Sequence, residues 1–427
     1  MTMQHCVLVK LGEAFLKGEN RALFTRALRR NIIAALPAES GSVAIQPRGG
    51  MFVLFPSDHS AQLAQRMTEV PGINVVDPAK CTQKAPEAFL DAALDQLRER
   101  FGDELQQRPR AFAVIAQRRD KRFEHTSADL NRYLGAEIQR ATGWPVNLSH
   151  PEVTIRVDVN FGDAFVSVQR LRGVGGLPVG SSGRAMVLLS GGFDSPVAAM
   201  RMMKRGLACD FVHFSGAPYT DPSSIYKAYA LVRQLSRYQP RSRLWVAQLG
   251  SAQRTLASSS APGLRTVAQR RLMLRIAEEL AGRQKADALV TGDSLGQVAS
   301  QTISNLHTVD DAVTRPVLRP LIGWDKEEII AEARRIGTAE ISMLPDQDCC
   351  TMLAPPRPAT YSDAATLQTV ETRAGIEELV TGTVSNLQEY SFTAGDGAQL
   401  SPQGAAALSS QRQSSQRCEG TASPQAG

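Results

Sequence analysis

Two short strings in this 427-residue chain hold residue types at spacings that could do chemistry. In MVLLSGGFDSPVAAMRMMKRG, residues 186–206, an apolar strand runs into Ser190-Gly191-Gly192-Phe193-Asp194-Ser195 and a helix begins at once. The glycines let the backbone turn tightly and approach a ligand. The helix start offers unpaired N–H groups and a partial positive charge. Ser190 and Ser195 add hydroxyls, and Asp194 can orient the loop or help position a magnesium ion. The ligand such a turn would take is a phosphate or pyrophosphate. A plain strand–turn–helix joint with a capping serine is the bland alternative. The position of this string, at the carboxyl end of the first strand of an α/β segment, favours the ligand. No Gly-Lys pair exists for a Walker A loop, and RGVGGLPVG, residues 172–180, lacks the GxGxxG spacing of a dinucleotide site.

The second string is MLPDQDCCTM, residues 343–352, where Cys349 and Cys350 stand side by side. Six cysteines in the whole chain are too few for a disulfide framework, and neither CxxC nor a Cys/His cluster with zinc spacing occurs. A reactive nucleophile and a small core hydrophobe both remain open for this pair. Cys6 and Cys209 fall in apolar strands and read as inert, Cys81 has no evident partner, and Cys418 lies in a polar tail.

The elements that must position these strings follow from apolar periodicity. The runs MVLLS, ACDFVHF, RLWVAQL and ADALVTG alternate with helical stretches, which predicts a doubly wound α/β domain with a parallel sheet over 176–360. Ahead of it, CVLVKLG and MFVLFP alternate with two helices, a small ferredoxin-like α+β domain over 1–80. A second α+β unit, 81–175, contains a helix over 87–101, the strand AFAVIA, a helix closed by Gly143 and a hairpin turning at Asn160-Phe161-Gly162-Asp163. Residues 361–427 form an extension whose low-complexity end, from 397, is expected to be disordered. The net charge is +6, basic up to residue 360 and mildly acidic beyond, which suits a polyanionic partner. The basic string Arg118-Arg119-Asp120-Lys121-Arg122 after AFAVIA is the candidate contact for the phosphate backbone of such a partner, which the resemblance given below would make RNA. No apolar run spans a bilayer and the N-terminus lacks a signal-peptide pattern, so a soluble cytoplasmic protein is expected.

SGGFDS resembles the pyrophosphate-binding loop of the PP-loop ATP pyrophosphatases, which cleave ATP between its α- and β-phosphates. Further strings narrow the resemblance: GVGGLPVGSSGRAMVLLSGGFDSPVA, VHFSGAPYT, RRLMLRIAEE, VTGDSLGQVASQT, RPLIGWDKEEII and, near the start, KLGEAFLKGENRALF. Together, over about residues 5–360 and in one order, they resemble the bacterial tRNA uridine 4-sulfurtransferases, the ThiI family, with 81–175 in the place of its THUMP domain. The resemblance implies that ATP, together with magnesium, is held by Leu188, Leu189, Ser190, Gly191, Gly192, Ser195, His213, Phe214, Arg270, Gly292 and Gln301, with Asp194 beside the magnesium. Asp293 and Gln297 rank below these. It also implies a reaction. The C4 oxygen of uridine 8 in tRNA is adenylated, sulfur from a persulfide replaces it to give 4-thiouridine, and AMP leaves. Cys349, beside Cys350, would be the sulfur-handling thiol, with Asp194 also on the catalytic side. Asp346 and Asp348 should raise a neighbouring thiol's pKa, so activation must come from a helix end or Arg357.

Several members of the family carry a C-terminal rhodanese domain with a persulfide cysteine, and this chain does not show one. A cysteine desulfurase or separate rhodanese is then the expected persulfide donor. The resemblance also implies sulfur supply for thiamine thiazole through a sulfur-carrier protein, and a homodimer. The competing readings are another PP-loop tRNA modifier, of the 2-thiouridylase or lysidine synthase type, and a tRNA-binding protein without catalysis.

Overall fold

A computed structural model describes residues 3–12, 21–37, 40–57, 60–347, 349 and 355–394. The chain divides into two compact units, Met1–Pro178 and Val179–Gly427. In the first, the order is β1 (Gln4–Leu11), α1 (Arg21–Ala35), β2 (Val43–Arg48), β3 (Met51–Pro56), α2 (Ser60–Met67), β4 (Ile73–Thr82), α3 (Pro86–Phe101), α4 (Glu104–Gln107), β5 (Phe112–Arg118), α5 (Ser127–Thr142), β6 (Val153–Val159), β7 (Ala164–Ser167) and β8 (Leu171–Arg172). All eight strands belong to one sheet, β2-β3-β1-β4-β7-β6-β5, with β8 on β4. The expected division at residue 80 falls inside β4, which pairs with β1 on one side and with β7 and β8 on the other.

The N-terminal part is richer than the expected strand–helix–strand–helix, because β2 and β4 carry Pro47 and Pro78. Proline removes a ladder donor and makes a string look unlike a strand. Here β2 lies at the sheet edge, and Pro78 sits between the stretches of β4 that pair β8 (Val75, Val76) and β7 (from Lys80). Helix α5 is where its ends require it: Thr126 and Asp129 form a reciprocal capping box, and Gly143 closes it in the left-handed region.

The second unit runs β9 (Arg184–Leu188), α6 (Asp194–Lys204), β10 (Ala208–Ser215), α7 (Ser223–Leu235), β11 (Arg241–Gln248), α8 (Gly250–Ser259), α9 (Arg265–Gln284), β12 (Ala288–Val290), α10 (Ile303–Asp310), β13 (Val317–Leu318), α11 (Lys326–Arg335), α12 (Ala339–Ser342), α13 (Ala364–Ala374), α14 (Ile376–Ser385) and β14 (Gln388–Thr393). Strand order is β13-β12-β9-β10-β11-β14, parallel except for β14, which lies antiparallel on β11. Helices cover both faces, as continuous apolar strands require. The boundary expected at 360 leaves three elements beyond it in this unit. Glu371 of α13 accepts from Arg271 Nε at 2.7 Å and Nη2 at 3.0 Å, and Tyr390 and Phe392 of β14 pack on Tyr229. Residues 395–427, with Cys418 and the low-complexity end, lie outside the described residues. Among the described residues no helix is long and apolar enough to cross a membrane.

Candidate functional site

The phosphate loop lies at the carboxyl end of β9, the second inner strand of a parallel sheet. Its serines build the loop as much as they face a ligand. Ser195 Oγ, 3% exposed as a residue, accepts from the Ser190 N–H at 2.9 Å and lies 3.0 Å from Ser190 Oγ. Ser190 Oγ in turn accepts from the Gly192 N–H at 3.3 Å. Helix α6 then starts without a side-chain cap, which leaves its first N–H groups to a ligand or water. Gly292, after β12, presses on this start: a Cβ there would come within 2.6 Å of Ser195 N. No larger residue fits without moving the loop.

Loop, α9 and the segment 291–301 enclose a cavity of about 470 Å³, within the size range of small-ligand sites. Leu188, Met273, Leu274, Val298, Val309, Pro355 and Pro358 supply apolar wall, while Ser190, Asp194, Ser195, Arg270, Gly292 and Gln301 supply the polar end. One wall is thus suited to a flat base and the other to phosphates. Gln301 gives its amide N–H to Asp293 at 3.2 Å, and its Oε1 is buried without a hydrogen-bond partner. A buried orphan acceptor beside a cavity calls for a donor on the ligand, such as an exocyclic amine.

Asp293 is the electrostatic centre of the site. It is 4% exposed and accepts from Arg270, from Thr291 Oγ1 at 2.7 Å, from Gln301 and from Arg319 Nε at 3.0 Å. Burial alone would raise its pKa, but the Arg270 charge, the Thr291 hydroxyl and the Arg319 charge outweigh burial and hold it at about 2. Arg319 is itself fixed on Asp310 at 2.9 Å, and Arg270 also donates to Ser300 Oγ at 3.1 Å. Arg270 is therefore preset at the cavity wall. Asp194 accepts from Lys326 Nζ at 2.8 Å and Gln297 Nε2 at 3.2 Å, which puts a second cation beside the loop.

Leu188, Ser190, Asp194, Ser195, Arg270, Gly292 and Gln301 thus meet at one cavity, and Leu189, Gly191, Gly192, His213 and Phe214 lie outside its lining. His213 is buried, with Nδ1 2.9 Å from Leu189 O and Nε2 3.2 Å from Ser224 Oγ, and Phe214 is in the core. Arg319 and Lys326 escaped sequence reasoning although RPLIGWDKEEII contains both, and Asp293 outweighs its expected rank. The signal in the sequence was an acidic residue just after a strand end and basic residues in a later string.

Cys349 is 2% exposed and belongs to the core cluster of this unit; Gln253 Nε2 donates to its carbonyl at 3.0 Å. Cys350 and Asp348 lie outside the described residues, and Arg357 is exposed. Cys6 and Cys81, expected to be inert and partnerless, share a buried cluster between β1 and β4. Burial raises both thiols, Cys81 to about 11, and burial also raises Cys209. In the first unit, Asp120 anchors the basic string: it accepts from Lys84 at 2.9 Å and from Arg122 Nε at 3.0 Å, while Arg119, Lys121 and Arg122 are exposed. Arg122 lies 5.7 Å from the ring of exposed Phe161.

A parallel α/β unit with a glycine–serine loop over an uncapped helix start, facing a cavity with an apolar and a cationic end, defines a nucleotide-binding enzyme of the PP-loop type. Three family models match consecutive parts of the chain: a ThiI ferredoxin-like domain at 6–76, a THUMP domain at 85–169 and "Thiamine biosynthesis protein (ThiI)" at 180–376. A probable tRNA sulfurtransferase of Nocardia farcinica is 56% identical over 377 residues, covering 88% of this chain and 91% of that protein. Another, of Thermus thermophilus, is 42% identical over 92% of this chain and 95% of its own length. A 4-thiouridine synthetase solved as an RNA complex with bound ATP superposes with a TM-score of 0.82 at 31% identity, over 91% of this chain and 100% of that one. The chain belongs to the ThiI family of tRNA sulfurtransferases.

Proposed function

We propose that this protein is an ATP-dependent tRNA sulfurtransferase that replaces the C4 oxygen of uridine 8 with sulfur, giving 4-thiouridine. The observation that carries this reading is the end-to-end likeness to the 4-thiouridine synthetase, at 31% identity over 91% of the chain, in a molecule whose phosphate loop faces a nucleotide-sized cavity.

ATP fits the residues present, and when bound it supplies the adenylyl group that makes the C4 oxygen a leaving group. The loop 190–195 and the start of α6 hold its phosphates by backbone N–H groups. Arg270 and Lys326 balance their charge from two sides. The apolar wall and Gln301 Oε1 take the base. Among the described residues no group of three His, Cys, Asp or Glu could hold a metal ion. Asp194, at the cavity's polar end, is the carboxylate that would hold a magnesium ion brought with ATP, and the ion would supply charge neutralisation to the phosphates.

Cys349 is the sulfur-handling thiol in this reading. Its thiolate attacks the inner sulfur of the donor's persulfide, forming a mixed disulfide and releasing hydrosulfide, which adds at C4 as AMP departs. A thiol reductant then returns the disulfide to two thiols. Its present burial means that its surroundings must open first. The donor is a separate persulfide-bearing protein, a cysteine desulfurase or rhodanese. Arg119, Lys121 and Arg122, with Phe161 as a stacking face, supply RNA-backbone contact in the first unit. In the same reading the protein supplies sulfur for thiamine thiazole through a carrier protein, an extension whose only support is the mention of thiamine biosynthesis in the family description.

Nucleoside analysis of tRNA from a deletion strain tests the assignment. Loss of 4-thiouridine, restored by the gene, is expected. Its persistence sinks the reading, and loss of another thiolated base points to a different PP-loop modifier.

A further inference from the structure

Residues 342–347, which lead from the end of α12 to buried Cys349, are fastened to the side of the phosphate loop away from the cavity. Ser342 Oγ donates to Gly192 O at 3.2 Å. Lys227 of α7, 6% exposed, donates its ammonium to Leu344 O at 2.7 Å and to Asp346 Oδ1 at 3.1 Å. Further along, the Gln347 N–H donates to Ser223 Oγ at 3.1 Å, and its Oε1 accepts from the Asp221 N–H at 3.1 Å. One residue, Asp348, then separates Gln347 from Cys349.

Gly191 bears directly on this clamp. A Cβ at Gly191 would stand 2.5 Å from Asp346 Oδ2 and 3.0 Å from Lys227 Cδ. The loop backbone therefore cannot shift towards α7 without displacing Asp346. Asp346 cannot shift without leaving an ammonium that is withdrawn from water and short of a counter-charge, which is costly. Neither Lys227 nor Asp346 lines the cavity. The pair links the loop to the thiol segment.

We propose that Lys227 is a positioning residue for sulfur transfer: through Asp346 it ties the placement of Cys349 to occupancy of the phosphate loop. This rests on the reading of Cys349 as the sulfur-handling thiol. Nucleotide bound at the loop would then be signalled to the thiol before sulfur arrives, so that a persulfide is consumed only when an activated base awaits it.

The test uses the full chain with Lys227→Met, Asp346→Asn, the double variant and Cys349→Ser. Pyrophosphate release and 4-thiouridine formation are measured on the same tRNA. Alkylation of Cys349 by iodoacetamide is followed by tandem mass spectrometry with and without α,β-methylene-ATP. In the parent protein the analogue should change the Cys349 alkylation rate at least about fivefold. In Lys227→Met that dependence should vanish and thiouridine per pyrophosphate released should fall about tenfold, with pyrophosphate release within about threefold of the parent. Asp346→Asn should do the same, and the double variant should be no worse than either single one, the mark of residues acting as a pair. Should Lys227→Met not fold, Asp346→Asn, which keeps the side chain's size, carries the test. Pyrophosphate release and thiouridine falling in parallel, with nucleotide-dependent alkylation intact, would overturn the proposal alone. Full thiolation by Cys349→Ser would overturn the sulfur role and the proposal with it.

Discussion

Replacing Asp293 with asparagine removes the one negative charge that Arg270 and Arg319 share at the cavity. The side chain keeps its size, so Thr291 and Gln301 retain a neighbour, but Arg270 loses its counter-ion and Arg319 is left with Asp310 alone, in a site where Asp293 is 4% exposed. The pKa of Asp293 is held at about 2 against an ordinary 3.8, a depression of nearly two units, worth roughly 2–3 kcal/mol of folding stability at neutral pH. The sign is that of a depressed carboxylate: the contribution is complete above the unfolded pKa and is lost as pH falls through about 2. Breaking a buried pair from one side sets an upper range of about 3–5 kcal/mol. Urea unfolding of both proteins at pH 7, and again between pH 5 and 3, should show a gap of a few kcal/mol that narrows as the solution is acidified. Calorimetry at pH 7 should show ATP binding about 10–100-fold weaker, because Arg270 is no longer preset. An Asp293→Asn protein with parent stability and parent ATP affinity would refute the reasoning, since Arg270 would then be held by Ser300 alone.

Gly292→Ala drives a methyl group to 2.6 Å from Ser195 N, so ATP affinity should fall by more than about tenfold while the fold survives, read by calorimetry and circular dichroism. Glu371→Gln strips the charge from a carboxylate paired with fully buried Arg271 and with Arg275, and should cost about 3–5 kcal/mol in denaturant unfolding. Burial raises the Glu371 pKa, but hydrogen bonds from Arg271 and Arg275 lower it further, so its contribution should be lost on acidification below the usual glutamate range. Changing Arg119, Lys121 and Arg122 together to alanine should weaken tRNA binding and reduce the slope of log affinity against log salt by about 2–3. An unchanged slope in filter binding would remove that string from the interface.

Four of the six strands of the second unit, their alternation with helices and the loop after β9 were legible because each is a local pattern: a continuous apolar run, a glycine pair, a helix start. Half the polar end of the cavity was legible for the same reason. The hub at Asp293 was not, since its ion pairs reach back 23 residues to Arg270 and forward 26 to Arg319. Likewise the tie from Arg271 to Glu371 spans 100 residues and turns an extension of thin apolar content into part of the core. In the first unit Pro47 and Pro78 hid β2 and β4, and with them the single sheet that joins two expected domains. Cys349 shows the opposite limit. Flanking residues point to chemistry there, whereas the fold places the thiol in apolar surroundings where it is inert until they change.

The central claim is tested most directly by incubating the purified protein with unmodified tRNA, ATP and a persulfide-charged cysteine desulfurase, then digesting the tRNA for nucleoside mass spectrometry. The expected result is 4-thiouridine at position 8, formed in step with AMP and absent without ATP. Pyrophosphate release with sulfur on a different base, or with no sulfur on tRNA at all, would contradict it.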